Sequence, residues 1–556
     1  MPQKPVYGKS PVLTVPHCFP SNGTVRISDE RIKRLYQKTN TLIESPSVWE
    51  GLFGLACLLK SKPYGEPVVQ RIYESLKESG NGALPGSVSD QIHIARAAYA
   101  MFEYNTDRKI LIRLAEWLRY LEIEFDSLCL QDHLLFHPAD LMEFLVRFYL
   151  SSGMKSILRI CTKLRASSFD WTTALHTFQR SIPVGHSRHS GIVSSKSPEE
   201  MDYIEKEHLI NHAESLADGI RFSLFSGLFS GHSHDLSSGK KVWSFLIKHH
   251  RALCGGTTAD PFLCGNSSDK LISNCALAAW VEAFASQMSL PDSGWAIDEL
   301  IRIVFNGMES CISQDPIPDY QVINSLNNNS SSSSDPISLY ARITRAVTVI
   351  YRHAVTLTKA GVQINYLLPA RIKIMIQNQP VTLHMQYDSL YFHTKNSFVA
   401  QVDYYRSSMG TDKICMIHSG TQAGIPTDDS HLSQSSFYTT HEQWQNLDGF
   451  ILIHNNRIIS ENTHHQGICY FYRNHLLSTY ADHASFSYAV CGLPEFINNK
   501  IVLPVSRVSN WPLKNDQPDD IPVLPESEKG QTCHEMSFYS ETPCRIAMFP
   551  RVNNHV

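Results

Sequence analysis

Through the first 310 residues, apolar positions recur at three- and four-residue steps, the period of a helix with a buried face. That period predicts helices over 48–60 (VWEGLFGLACLLK), 90–104 (DQIHIARAAYAMFEY), 109–121, 139–150 and 156–165. Asp90 and Ser156 stand where a side-chain oxygen would cap the second and the last of these. Two helix pairs read as copies, one starting at Phe102 (FEYNTDRKILIRLAEWL) and one at Tyr149 (YLSSGMKSILRICTKL), 47 residues apart. Each has an aromatic at a helix end, a short polar turn, and Ile-Leu opening the next helix. Such spacing belongs to repeated helical hairpins, which stack as an open solenoid or close into a toroid. The period alone does not choose between them. A later hairpin, 277–288 with 295–308, carries the helical part to about Cys311.

Residues 181–198, 227–239 and 254–269 are rich in Gly, Ser, Pro or His and read as loops. The run at 327–334 (NNNSSSSS) is low in complexity and reads as a linker. After about Tyr351 the pattern switches to alternation, which predicts strands within 354–358, 362–368, 372–376, 381–387, 398–405, 450–454, 468–472 and 486–493. The expected fold class is therefore α+β and multidomain, with helical hairpins followed by a β-sandwich. The expected divisions are an N-terminal segment (1–40), a helical catalytic domain (41–325), a linker and helix (326–353), the sandwich (354–512) and an extension (513–556). The piece at 545–552 (RIAMFPRV) would return as a strand or pack on the helices.

Composition narrows the function. Lys and Arg number 49 against 53 Asp and Glu, a balance that excludes a basic nucleic-acid coat and an acidic disordered tail. Neither an apolar leader nor a run of about 18 apolar residues is present. The 13 cysteines include no CxxC pair, so neither a zinc ribbon nor a thioredoxin-type site is indicated. These features predict a cytoplasmic protein with reduced thiols, no nucleic-acid or membrane partner, and room for a homodimer. GxSxG, GxGxxG and Walker loops are absent, which removes a serine elbow and the common nucleotide sites.

Several segments combine carboxylates, histidines and aromatics, the residue types that bind and cleave sugars. His137, Asp140 and Glu143 recur at steps of three, which places them on one helix face. Asp170, Trp171 and His176 put a carboxylate beside an aromatic, although an N-cap and a core tryptophan would give the same pattern. The segment 211–221 holds His212, Glu214, Asp218 and Arg221. Asp260 follows a Gly-Gly-Thr-Thr loop, and His93 lies on the 90–104 stretch. His232, His234 and Asp235 have metal-ligand character but lack a distant third ligand, so they read as a loop.

These same segments resemble glycoside hydrolase family 127, the β-L-arabinofuranosidases. Residues 91–98 (QIHIARAA) resemble its His-bearing helix, 211–218 (NHAESLAD) its His-Ala helix, and 255–265 (GGTTADPFLCG) its Gly-Gly loop. Residues 271–280 (LISNCALAAW) resemble its Glu-x-Cys-Ala helix. The resemblance implies an (α/α)6 toroid followed by β-sandwich domains, and a carbohydrate substrate. It also implies a zinc site built from a Glu-x-Cys motif and a downstream Cys-Cys pair. Here Cys275 matches the first cysteine, Ser273 replaces the glutamate, and 330–342 holds no cysteine. Three of four ligands are missing, and a zinc site needs at least three from the protein, so no cofactor is expected.

The reading that follows is a metal-free glycoside hydrolase acting on an arabinofuranoside-like bond through two carboxylates. Asp260 would be the acid, with Asp140 or Asp170 as the second carboxylate. His93 and His212 would contact sugar hydroxyls, and His137, Trp171 and His176 would line the cleft. The competing readings are a non-catalytic glycan-binding descendant, or a lyase on uronic-acid polymers using Tyr203, His212 and Arg221.

Overall fold

The structure is a computed structural model. It describes residues 25–60, 62–77, 80–128, 138–181, 209–259, 262–266, 270–323, 335–357, 361–376, 379–387, 389–394, 398–405, 413–417, 437–444, 449–453, 458–463, 467–480, 486–498, 500–509, 531–541 and 545–550. His137, Tyr203 and Asp260 lie outside the described residues, as do the 327–334 run and most of 181–198.

Among the described residues up to His353 most are helical. The helices are α1 (Glu30–Asn40), α2 (Trp49–Leu59), α3 (Lys62–Ser75), α4 (Val88–Asn105), α5 (Arg108–Leu128), α6 (Ala139–Ser152) and α7 (Ser156–Ser167). There follow α8 (Trp171–Thr177), α9 (Ala213–Ser230), α10 (Ser233–His249), α11 (Asn274–Gln287), α12 (Gly294–Arg302), α13 (Glu309–Ser313) and α14 (Pro336–His353). Every residue of α9 from Ser215 to Leu228 is buried, the mark of an interior helix. Six helices pack in a closed cycle: α2 on α4, α4 on α6, α6 on α9, α9 on α11, α11 on α14, and α14 back on α2. Helices α1, α3, α5, α7, α10 and α12 each pack against a member of that ring.

The ring closes where α14 meets α2, and glycine makes the contact possible. A Cβ at Gly51 would lie 2.0 Å from Thr344 Oγ1, and one at Gly54 would lie 2.4 Å from Thr348 Oγ1. The copied hairpins share a cap. Thr106 and Gly153, both left-handed, donate their amides to Phe102 O and Tyr149 O at 2.8 Å. The aromatic at each helix end thus marks the carbonyl that accepts the closing bond.

Three local expectations are corrected. Ser87, not Asp90, caps α4; Asp90 is its third residue and returns the bond to the Ser87 amide, forming a capping box. Ser156 opens α7 without capping it. The expected loop at 227–239 is two helices joined at Gly231, the one glycine there with positive φ (74°). Gly227 and Gly239 serve packing instead: a Cβ would meet Asp235 Cβ at 2.8 Å and Ile220 Cγ2 at 3.0 Å respectively.

From Val355 onward the described strands lie in three sheets. A six-stranded sheet takes in Val25–Arg26, which pairs with Ala370–Ile376. A four-stranded sheet contains the parallel pair Gly361–Ile364 and Phe398–Tyr405. The nine-stranded sheet holds Gln531–Phe538 between His475–Tyr480 and Lys500–Ser509, so sequence beyond 512 sits inside it. Arg545–Ile546 returns as a strand on His475–Tyr480. This sheet is tied to the helices where Glu461 accepts from Arg302 at 2.8 Å and also pairs with Arg251, and where His475 faces Glu309 at 3.5 Å. Asn306, in a π-helical turn after α12, donates to Asn474 O at 3.1 Å and accepts from Leu476 N at 2.6 Å. Among the described residues no helix is long and apolar enough to cross a membrane.

Candidate active site

Charged side chains inside an apolar ring must find partners, because an isolated buried charge costs several kcal/mol. Here they find them across helices, in levels that show the six ring helices run the same way. At the upper level Glu214 and Cys275, each second in its helix, face Arg342 of α14. Asp218, one turn below Glu214, takes both arms of Arg342 at 2.6 and 3.1 Å. In the middle Asp140 accepts from Arg96 at 2.9 Å, Arg221 at 3.0 Å and Arg345 at 2.9 Å. Glu50 takes Arg96 at 2.7 Å, and Glu282 takes Arg221 at 2.9 Å. Arg345 Nε faces Glu282 Oε1 at 3.0 Å as an ion pair whose angle is too bent for a hydrogen bond. Below, Arg147 donates to Glu103 at 2.6 Å and Arg352 lies 3.5 Å from its other oxygen. On each of α4, α6, α9, α11 and α14 the level descends with residue number, and α2 runs alongside α14, with Gly51 against Thr344 and Gly54 against Thr348, so the helix N-termini point towards the Glu214 end. Their partial positive charge favours carboxylates there.

The pairing fixes the proton on each acid. Burial alone would raise Asp140, but Arg345, Arg96 and Arg221 outweigh it and hold the carboxyl well below its usual range. Burial likewise loses to Arg342 and Arg221 at Asp218, which sits at about 2. Glu214 is the exception: burial dominates, Asp218 adds to it, and Arg342 only partly offsets them, so its carboxyl is raised. Among the described residues Glu214 makes neither a hydrogen bond nor an ion pair. An acid pushed up beside acids pushed down is the arrangement from which a proton donor and an ionised carboxylate are drawn. His93 is lowered to about 4, chiefly by burial, and is therefore a neutral ring near Asp140. His212 caps α9: its Nδ1 accepts from the Ser215 amide at 3.4 Å, which places the ring proton on Nε2.

The expected site residues divide on this geometry. His212 belongs to the upper, N-terminal level, and Asp140, with His93 beside it, to the middle one. Asp170 is exposed and caps α8, accepting from the Thr173 amide at 3.1 Å. Trp171 is 1% exposed and fills the space over Gly219, where a Cβ would come within 2.2 Å of its ring. His176 stacks on His234 at 3.5 Å. These three cap and pack α8 against α9 and α10, away from the charged levels. His137 and Asp260 are outside the described residues. The loop flanking Asp260 does reach this end, since Phe262 pairs with His212 and Ala259 N bonds Leu271 O. Its two glycines are conformational: Gly255 and Gly256 have φ of 95° and 68°, and a Cβ on Gly255 would be 2.8 Å from Ile303 N.

The donor set does not fit a zinc-thiolate centre. Ser273, at the glutamate position, uses its Oγ to cap α11 at Ala276 N (3.2 Å). Burial first, and then Glu214, push the Cys275 thiol well above its ordinary range, so without a metal beside it the thiol keeps its proton. Among the described residues no group of three or more His, Cys, Asp or Glu converges as a ligand set.

No family model matches the chain, and no curated protein matches it by sequence. Solved structures do. A protein described as a glycoside hydrolase has a TM-score of 0.71 at 9% identity, covering 98% of this chain and 100% of its own. A GH127 β-L-arabinofuranosidase from Geobacillus stearothermophilus T6 has a TM-score of 0.63 at 12% identity, covering 93% and 91%. The GH127 β-arabinofuranosidase BT3674 has a TM-score of 0.63 at 10% identity, covering 96% and 98%. Over nearly its whole length, this chain has the fold of the family 127 glycoside hydrolases.

Proposed function

We propose that the chain is a glycoside hydrolase-like enzyme that cleaves a furanoside, of arabinofuranoside type, at the N-terminal end of an (α/α)6 toroid backed by β-sandwich domains. The observation that carries this is the split within one buried cluster: Glu214 raised and unpaired, Asp140 and Asp218 held ionised. Glu214 would protonate the leaving oxygen, and Asp140, the less buried of the two ionised acids, would act as base or nucleophile. Neutral His93 and the Nε2–H of His212 would bind sugar hydroxyls. Asp260 keeps its claim as a rival for the acid role. No step runs through zinc, because the donors do not fit it.

The three guanidiniums on Asp140 favour a second reading, a glycan-binding protein without turnover, since a carboxylate so bound is a weak base. An initial-rate panel of aryl glycosides, β-L-arabinofuranoside included, decides between them. Turnover that survives a chelator, falls at least about 100-fold in Glu214→Gln and persists in Asp260→Asn is the expected result. Loss in Asp260→Asn with retention in Glu214→Gln would move the acid to Asp260. Absence of turnover across the panel, or its loss with chelator, would overturn the metal-free hydrolase.

A further inference from the structure

The opposite end of the ring holds a cavity of about 340 Å³, near the lower bound of ~300–1,000 Å³ usual for small-molecule sites. Its walls come from the C-terminal halves of the ring helices. Arg147, Leu150 and Ser151 belong to the later turns of α6, Phe225 and Leu228 to those of α9, and Arg352 to the last turn of α14. The middle ion pairs form its ceiling, so Glu50, Glu143 and Glu282 separate it from Glu214, Cys275 and Arg342, none of which lines it. The rim is open at Leu150, which is 43% exposed, and at Ser151.

Charge selects the class of ligand. Six carboxylates (Glu50, Glu103, Asp140, Glu143, Asp218, Glu282) are tied to six guanidiniums (Arg96, Arg147, Arg221, Arg342, Arg345, Arg352). The ring balances without any ligand charge. The helix C-termini that converge here carry partial negative charge, which further disfavours an anion. What the walls offer is matched donors and acceptors: Arg147 beside Glu103, the Ser289 hydroxyl, and the oxygens of Tyr99 and Ser286, whose protons go to Arg147 O at 3.1 Å and Glu282 O at 2.8 Å. Val146, Phe225 and Leu228 add an apolar wall. A hydroxyl-rich ring with one C–H face satisfies both sets, each vicinal hydroxyl pair bridging a guanidinium and a carboxylate. We propose that this chamber binds a neutral, polyhydroxylated molecule of monosaccharide size, at a site separate from the Glu214 end. The proposal does not depend on turnover at that end.

Calorimetric titration of the full chain tests it, with L-arabinose, D-glucose and D-galactose as neutral probes and D-glucuronate and inorganic phosphate as anionic ones. Saturable binding of a neutral sugar is expected in the wild type, and the chamber's share is the part that variants of its own lining remove. Ser286→Phe, whose ring would occupy the chamber, should weaken it at least ten-fold. Ser151→Trp, at the exposed rim, should do the same should the Ser286 variant not fold. Turnover is read separately, so a failed hydrolase leaves this result standing. The proposal falls if no neutral sugar binds, if the anions bind in their place, if both chamber variants bind as the wild type does, or if Glu214→Gln alone removes binding.

Discussion

Replacing Arg221 by methionine tests whether the ring is held by its charges. The Arg221 side chain is 1% exposed and faces four carboxylates: Asp140 and Asp218 at 3.0 Å, Glu282 at 2.9 Å, and Glu143. Methionine restores most of the stem's packing but none of its charge. Each acid keeps a second cation: Asp140 keeps Arg96 and Arg345, Glu143 keeps Arg96 and Arg147, Asp218 keeps Arg342, and Glu282 keeps Arg345. The cost is therefore that of one broken buried partnership, about 3–5 kcal/mol, and not four times that. The sign of its pH dependence is fixed. In the wild type Glu143, which burial would raise, is held at about 2 by Arg221, Arg96 and Arg147, and Asp218 also sits at about 2. Their contribution is present above the unfolded values near 4 and is lost as pH falls through the folded ones. In the variant those folded values rise, so protonation relieves the strain sooner. The deficit should be largest at neutral pH and shrink as pH falls towards about 4. Urea unfolding followed by helical circular dichroism measures both. A neutral-pH deficit below about 1 kcal/mol, or one that grows on acidification, would refute the reasoning.

The raised Glu214 carboxyl costs stability once ionised, so Glu214→Gln should unfold at a higher urea midpoint at neutral pH. That gain should disappear below the unfolded value near ~4.3, and a pH series of midpoints reads it. Gly51→Ala should lower stability by about 1–3 kcal/mol in a thermal melt, because the new Cβ meets Thr344 Oγ1 at 2.0 Å. Gly65→Ala, inside α3 with only Ala56 Cβ at 3.9 Å, should instead be neutral or stabilising by up to about 1 kcal/mol. Cys275→Ser should leave turnover on the best aryl glycoside within about three-fold, since a protonated thiol is no nucleophile; a 100-fold fall would restore the cysteine to the chemistry.

The period of apolar positions located α2, α4, α5, α6 and α7 because each of them buries a face that local sequence displays. Composition failed at 227–239, where Gly, Ser and His looked like turn chemistry but served close packing. Capping failed by one turn at Asp90, because both members of a capping box are good cap residues. The charged levels were the least legible part. Asp140 and Arg345 are 205 positions apart, and only ring closure brings them together. A clue was available in the ring helices themselves: α9 is buried all round yet carries Glu214, Asp218 and Arg221 on one face. Trp171 beside Asp170 pointed to a cleft, but the tryptophan's neighbour in space is Gly219, which adjacency in sequence does not reveal.

The closure at α14 also sets when the helical half can form during synthesis. The first five ring helices bring Glu50, Glu103, Asp140, Glu143, Glu214, Asp218 and Glu282 against only Arg96, Arg147 and Arg221. The nascent chain therefore carries more than twice as many interior carboxyls as interior cations. Arg342, Arg345 and Arg352 arrive together on the last helix, after some 335 residues have left the ribosome. Until then an assembled five-helix arc would hold uncompensated acids in an apolar interior, which keeps it from maturing early. The ring is thus completed in one late step, with its final helix supplying the missing half of the counter-charge.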